Sequence, residues 1–132
     1  MALNRAFDAD TLSGLRKAVL AEAAAAGMPR DRATDVMLAV HELAANAVRH
    51  GAGAGRLAMH VRDGRLYCQV SDVGPVSAGG QAVRGGAAAR AWPVQRGHGL
   101  WIVQAAADQM SVASGSDGSQ VTAVFILPGV TR

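Results

Sequence analysis

Three polar side chains that could serve a metal-bound nucleotide recur every four residues in the stretch 41–51, which reads HELAANAVRHG. They are Glu42, Asn46 and His50. On a helix they would form one stripe, with neighbouring Cβ atoms roughly 5–6 Å apart. A carboxamide oxygen is a hard ligand that suits Mg²⁺, and a carboxylate one turn earlier can act as a base. The stripe therefore predicts either a Mg²⁺-nucleotide site or the solvated face of an amphipathic helix.

A second candidate segment is Asp72-Val73-Gly74, which stands where an alternating apolar segment ends. An aspartate in this position can accept a hydrogen bond from an exocyclic amine. Gly74 has no Cβ, so a flat ring could approach the backbone closely. Because Asp and Gly are also common turn residues, a simple turn is the competing interpretation.

The third candidate segment, Arg96-Gly97-His98-Gly99-Leu100, leads directly into a predicted helix. Backbone N–H groups at a helix N-terminus, together with the helix dipole, favour an anion such as phosphate. Arg96 could add a positive charge, and His98 is expected to contribute mainly its backbone. A flexible connector is the alternative. The segment is neither a dinucleotide-binding fingerprint nor a Walker lysine motif.

The elements that must position these residues can be predicted from periodicity and turn signals. Helices are expected from Asp8 or Asp10 to about 26, closed by Gly27, then over about 31–49 and about 99–109. Strands are expected at 3–7, 57–61, 66–70, 110–114 and 120–127, with Asp63-Gly64 as a hairpin turn. Residues of about 75–96 lack clear periodicity and are predicted to form either a functional lid or a disordered loop.

This order of elements predicts an α/β (α+β) fold, a two-layer sandwich. Hairpin-linked strands imply a mixed, mostly antiparallel sheet, with three helices on one face. At 132 residues the chain is expected to form a single domain over 1–132.

Charge and composition exclude several classes of protein. The 13 basic and 10 acidic residues give a net charge of +3. The arginines are scattered, so no nucleic-acid-binding stripe is expected, and an anionic small ligand or an acidic protein partner fits better. Cys68, the single cysteine, is predicted to be buried, and no disulfide framework is possible within one chain. No signal core or membrane span is apparent, so a cytoplasmic location is expected.

The combination of the three segments is more specific than any one of them. Glu-x₃-Asn-x₃-His-Gly, Asp-x-Gly and Gly-x-Gly-Leu follow one another in the order of the N, G1 and G2 boxes of the histidine-kinase-like ATPases, the Bergerat fold. More narrowly, the chain resembles the single-domain anti-sigma-factor serine/threonine kinases. The resemblance runs from about Phe7 to Pro128.

The resemblance implies roles for individual residues. Asn46 would ligate a Mg²⁺ ion that bridges the ATP phosphates, and Glu42 would be the general base. Asp72, with Gly74 beside it, would bind the adenine amino group. The remaining implied nucleotide contacts are His50 (otherwise a helix cap), Arg96, Gly97, His98, Gly99 and Leu100, with a hydroxyl from Ser119 or Thr122 that supports adenine through water.

Three functions remain open from the sequence. The first is an ATP-dependent kinase that phosphorylates an anti-sigma antagonist and/or sequesters a sigma factor. The second is a non-catalytic nucleotide-binding or partner-binding module, which is favoured because Pro75-Val76 follows Gly74 where the G1 box normally has a second glycine. The third is an ATPase subunit that needs a separate transducer. A homodimer is possible, since relatives often dimerise.

Overall fold

The computed structural model describes residues 2–50, 53–72, 98–115 and 118–129. Predictions for the lid lie outside these residues. A 3-10 turn, Ala9–Thr11, joins the first strand to the first helix. The other elements, in chain order, are β1 (Ala2–Asp8), α1 (Leu12–Ala25), α2 (Arg30–His50), β2 (Ala54–Arg62), β3 (Arg65–Ser71), α3 (His98–Ala106), β4 (Gln109–Gly115) and β5 (Gly118–Ile126).

The strands form one sheet in the order β1-β2-β3-β5-β4. Every pairing among the described strands is antiparallel. Asp63 and Gly64 both have positive φ, 53° and 74°, between β2 and β3. This is the geometry of the two-residue hairpin turn that twists with its strands, and it confirms the turn predicted at Asp63-Gly64.

All three helices bury apolar side chains against one face of the sheet. The register aligns Leu57 with Val70 and Val70 with Val121, so these side chains share the helix-facing side. The helix α2 lies between α1 and α3 and packs on β2, β3 and β5. Fully buried core residues from both layers include Val19, Val36, Val40, Leu43, Leu57, Cys68, Val70, Val103, Val121 and Phe125. The predicted two-layer sandwich is therefore confirmed.

Side-chain and backbone caps define the ends of the α1 region. The Asp8 carboxylate accepts the N–H groups of Asp10 and Thr11 at 3.0 and 3.2 Å. The Thr11 hydroxyl accepts the N–H of Asp8 in return, so Asp8 is the cap among the two predicted aspartates. At the other end, Gly27 has φ 105° and follows the last turn of α1, as expected for a terminating glycine.

The third helix is shorter than predicted. It ends at Ala106 rather than at about 109, because the chain is already bonded to β5 at Asp108. The N–H of Asp108 donates to the Val124 carbonyl at 2.9 Å, and β4 begins with the next residue. Among the described helices, none is both long and apolar enough to cross a bilayer.

The close approach of Gly55 to its neighbours predicts a large stability effect. A Cβ at Gly55 would clash with the Ser71 carbonyl oxygen and would lie 2.7 Å from Cζ of Phe7. Because backbone cannot move aside cheaply, Gly55→Ala should lower the free energy of unfolding by about 1–3 kcal/mol. Urea unfolding measures the change. The control is Gly14→Ala in α1, where a Cβ meets only Arg5 at 3.7 Å; it should raise stability by roughly 0.5–1 kcal/mol. Equal effects in the two variants would contradict this account.

Candidate functional site

The helix α2 places Asn46 in an apolar environment. Residues 43–47 are all buried, since α2 is covered by the sheet and by both other helices. Asn46 is the one polar residue in that run and is 8% exposed. Glu42 lies one turn earlier and is half-buried. The two side chains therefore stand at the border between the core and solvent, one turn apart on the same helix.

Buried polar side chains are confined to a small set in the part of the chain that the structure describes. They are Asn46, Asp72 and Ser119, with exposures of 8%, 3% and 3%. Burying a polar group is unfavourable unless it finds partners. Asn46 and Asp72 were singled out from the sequence as nucleotide contacts, and Ser119 was one of two candidate hydroxyls, Thr122 being the other. Each of the three buried polar residues is therefore a position that the sequence had pointed to.

Asp72 and Ser119 are neighbours on adjacent strands. The N–H of Asp72 donates to the Ser119 carbonyl at 3.0 Å, which extends the pairing of β3 with β5 one residue beyond Ser71. Asp72 follows the buried positions Leu66, Cys68 and Val70 in the same alternation. This places an acidic residue at the end of β3, beside the start of β5, and its contact with adenine stays a prediction.

The Asn46 carboxamide presents its oxygen to a cationic group. A guanidinium N–H of Arg49 donates to Oδ1 of Asn46 at 3.0 Å, across one turn of α2. A carboxamide oxygen is a hard donor of the kind that Mg²⁺ accepts, so Asn46, with the Glu42 carboxylate one turn away, has the chemistry to hold the metal that the resemblance implies. The Arg49 guanidinium occupies this oxygen and would have to move before a metal could bind.

His41 is more enclosed than expected for a solvated residue. It is half-buried, and its Nδ1 is buried without a hydrogen-bond partner among the described residues. Burial lowers the pKa of His41 below 6.5, and the positive charges of Arg16 and Arg49 lower it further, against an opposing effect of Glu42. His41 is enclosed because α1 and its Arg16 lie close to this face of α2.

The lowered pKa of His41 predicts acid sensitivity. Below about pH 6.5 the unfolded chain binds a proton at His41 more readily than the folded protein does, so stability should fall as pH decreases through this range. The loss should level off once the folded-state pKa is passed. The melting temperature, measured at a series of pH values from 7.5 to 5, should fall less steeply for His41→Gln than for the unmutated protein. His60→Gln, on the other face of the sheet, should keep the steeper decline. Identical pH profiles for the unmutated protein and His41→Gln would contradict this prediction.

Thr122 is not brought to the site. It pairs with Gln69, whose amide donates to the Thr122 hydroxyl at 3.5 Å. Both residues alternate with the buried positions of their strands, so they lie on the sheet face away from the helices. The geometry favours Ser119, the other hydroxyl considered, over Thr122. The alternation of β5 could have separated the two, since Ser119 shares parity with Val121.

The remaining predicted contacts are described in part or not at all. His98, Gly99 and Leu100 form the first turn of α3, which packs on α2. His50 is the last residue of α2. Gly74, Arg96 and Gly97 lie outside the described residues. The structure thus shows a helix that begins at His98, one residue before the predicted start at Gly99, and the phosphate-binding role of the segment stays a prediction.

A comparison with protein families identifies the chain. A family model described as a histidine kinase-like ATPase domain matches residues 6–125. The chain belongs to the histidine kinase-like ATPase family. The match covers nearly the whole sequence and agrees with the α+β sandwich, so the Bergerat fold is confirmed. Domains of this family bind ATP. No individually curated protein matches the chain, and the narrower likeness to anti-sigma kinases stays a prediction.

Proposed function

We propose that this histidine kinase-like ATPase is an anti-sigma-type regulator that phosphorylates a serine or threonine of a partner protein. The partner would be an anti-sigma antagonist, and a sigma factor could be sequestered by the same domain. The observation that carries the proposal is where the buried polar residues of the described chain fall. Asn46 and Asp72 lie in the N and G1 boxes, and Ser119 is one of the two hydroxyls that the resemblance places near adenine.

Each of the buried polar groups would contact a different part of the bound Mg²⁺-ATP. Asp72 would accept a hydrogen bond from the adenine amino group, and Ser119 would support it. Asn46 would hold Mg²⁺ through Oδ1, displacing or redirecting Arg49. The N-terminal amides of α3, with Gly97 before them, would receive the phosphates, because an anion is favoured at a helix start. Lid residues of about 75–96 would cover the nucleotide.

The chemistry assigned to the chain is proton transfer and positioning. Glu42 would take the proton of a partner hydroxyl while that oxygen bonds to the γ-phosphorus and the bond from phosphorus to the ADP oxygen breaks. When bound, Mg²⁺ neutralises charge on the phosphates. Most of the rate in such transfers comes from positioning and charge neutralisation.

Incubation with γ-labelled ATP, Mg²⁺ and candidate sigma-factor antagonists tests the proposal. Label on a serine or threonine of the antagonist is the expected result. A stable complex that forms without transfer would support the non-catalytic module, which the Pro75-Val76 sequence favours. Phosphate release without any protein acceptor would favour an ATPase subunit instead. Running the same reactions with Glu42→Gln assigns any signal to this site.

A further inference from the structure

Arg32, in the first turn of α2, connects three elements through its guanidinium group. One nitrogen, Nη1, donates to the Ala106 carbonyl at 3.1 Å and to Asp35 at 3.2 Å. The other, Nη2, donates to Oδ2 of Asp108 at 3.2 Å. The same Asp108 oxygen accepts the N–H of Ile126 at 2.8 Å. The beginning of α2, the end of α3 and the end of β5 are thereby joined at one point.

The contact with Ala106 stabilises the C-terminal end of α3, because Ala106 is the last residue of that helix. Carbonyls in the last turn of a helix lack partners within the helix, and a positive charge there is favourable. Arg32 supplies both a donor and the charge. Its guanidinium also lies over the Phe125 ring, 5.5 Å from the ring centroid, so the side chain is fixed from more than one direction.

Helix geometry relates this contact to the candidate site. The axial rise from Ala106 back to His98 is about 12 Å, and from Arg32 to Asn46 it is about 21 Å. Because the C-terminal end of α3 contacts the first turn of α2 and the two helices pack together, the first turn of α3 reaches about 12 Å along α2 from Arg32. It therefore points toward Glu42 and Asn46 but stops roughly 9 Å short of Asn46 along the axis. The Arg32 contact sets how far along α2 that first turn reaches.

We propose that Arg32 and Asp108 form a positioning pair, which sets the distance between the N-terminal amides of α3 and Asn46 and thereby controls binding of the triphosphate. This inference rests on the proposed nucleotide site. It adds two residues outside the N, G1 and G2 boxes that determine how well the triphosphate binds. Asp72 follows β3 and Ser119 lies near the start of β5, seven positions along that strand from Ile126, whose N–H donates to Asp108. The pair therefore acts on the phosphates and not on the adenosine half of the ligand.

The test compares ATP and adenosine as probes on the full chain. Mg²⁺-ATP affinity is measured by calorimetry and adenosine affinity by an NMR titration. Arg32→Ala should weaken ATP binding by about tenfold, as small misplacements of binding groups do, and should leave adenosine affinity unchanged within about twofold. Asp108→Asn should have the same selective effect, since it removes the charge but keeps an oxygen for the Ile126 N–H, so it preserves a folded test protein.

Asp35→Asn is the matched control, because it removes the charged partner of Arg32 on its own helix and leaves the contacts of Arg32 with Ala106 and Asp108. It should bind both probes like the unmutated protein. Equal loss of ATP and adenosine affinity in Arg32→Ala and Asp108→Asn would show general loosening and overturn the proposal. Unchanged ATP affinity in both variants would overturn it too. If the unmutated protein binds no ATP, the proposal of a nucleotide site is itself wrong. That result differs from the two outcomes above, which concern the variants.

Discussion

Asn46→Ala should abolish the Mg²⁺-dependent part of ATP binding. The substitution removes the buried Oδ1 that faces a cationic group and leaves no other carboxamide at this position of α2. Losing a residue that only orients a metal ligand lowers metal affinity by about 10–100-fold, and losing the ligand itself should lower it at least as much. We therefore expect the affinity for Mg²⁺-ATP to fall by about 100-fold. Calorimetric titrations with Mg²⁺ and with EDTA should then give the same weak binding.

Asn4→Ala is the control for this variant. Asn4 is exposed on β1 and accepts a hydrogen bond from Arg56, so its removal should leave nucleotide binding unchanged. Thermal unfolding of both variants checks that the fold persists. Normal Mg²⁺-ATP affinity in folded Asn46→Ala would show that the metal is held elsewhere.

Glu42→Gln should separate binding from transfer. The change keeps the size of the side chain and removes the only carboxylate within one turn of Asn46 on α2. Since a positioned base contributes about 10²–10⁴-fold to proton transfer, phosphorylation of the partner should slow by that factor. ATP affinity should stay within a few fold of the unmutated protein. Labelled phosphate on the partner and calorimetry measure the two quantities on the same sample.

Glu22→Gln is a matched control, since Glu22 is also half-buried but lies on α1. It should transfer phosphate at the unmutated rate. Two results would contradict the role assigned to Glu42. One is unimpaired transfer by Glu42→Gln, and the other is loss of ATP binding in parallel with transfer.

The fold was largely predictable because its signals are local. The stripe of Glu42 and Asn46 required only helix periodicity, and Asp63-Gly64 required only turn chemistry. Burial of Cys68 followed from strand alternation; the structure encloses it completely, and burial raises its pKa to about 12. These features depend on residues within a few positions of one another.

What the sequence did not predict depends on contacts between distant segments. The end of α3 is set by bonding of Asp108 to Val124 on β5, which no helix signal encodes. The enclosure of His41 depends on α1, about twenty-five positions earlier in the chain. Arg32 carries no motif, so its links to Ala106 and Asp108 were visible only in three dimensions.

The affinity of the unmutated protein for ATP, measured by calorimetry with Mg²⁺ and again with EDTA, tests the central claim most directly. We predict one site per chain, with affinity at least about tenfold higher when Mg²⁺ is present, as expected for a metal held jointly by a side chain and phosphates. Failure to bind ATP under both conditions, or equal affinity in the two, would contradict a site in which Asn46 holds the metal of a bound nucleotide.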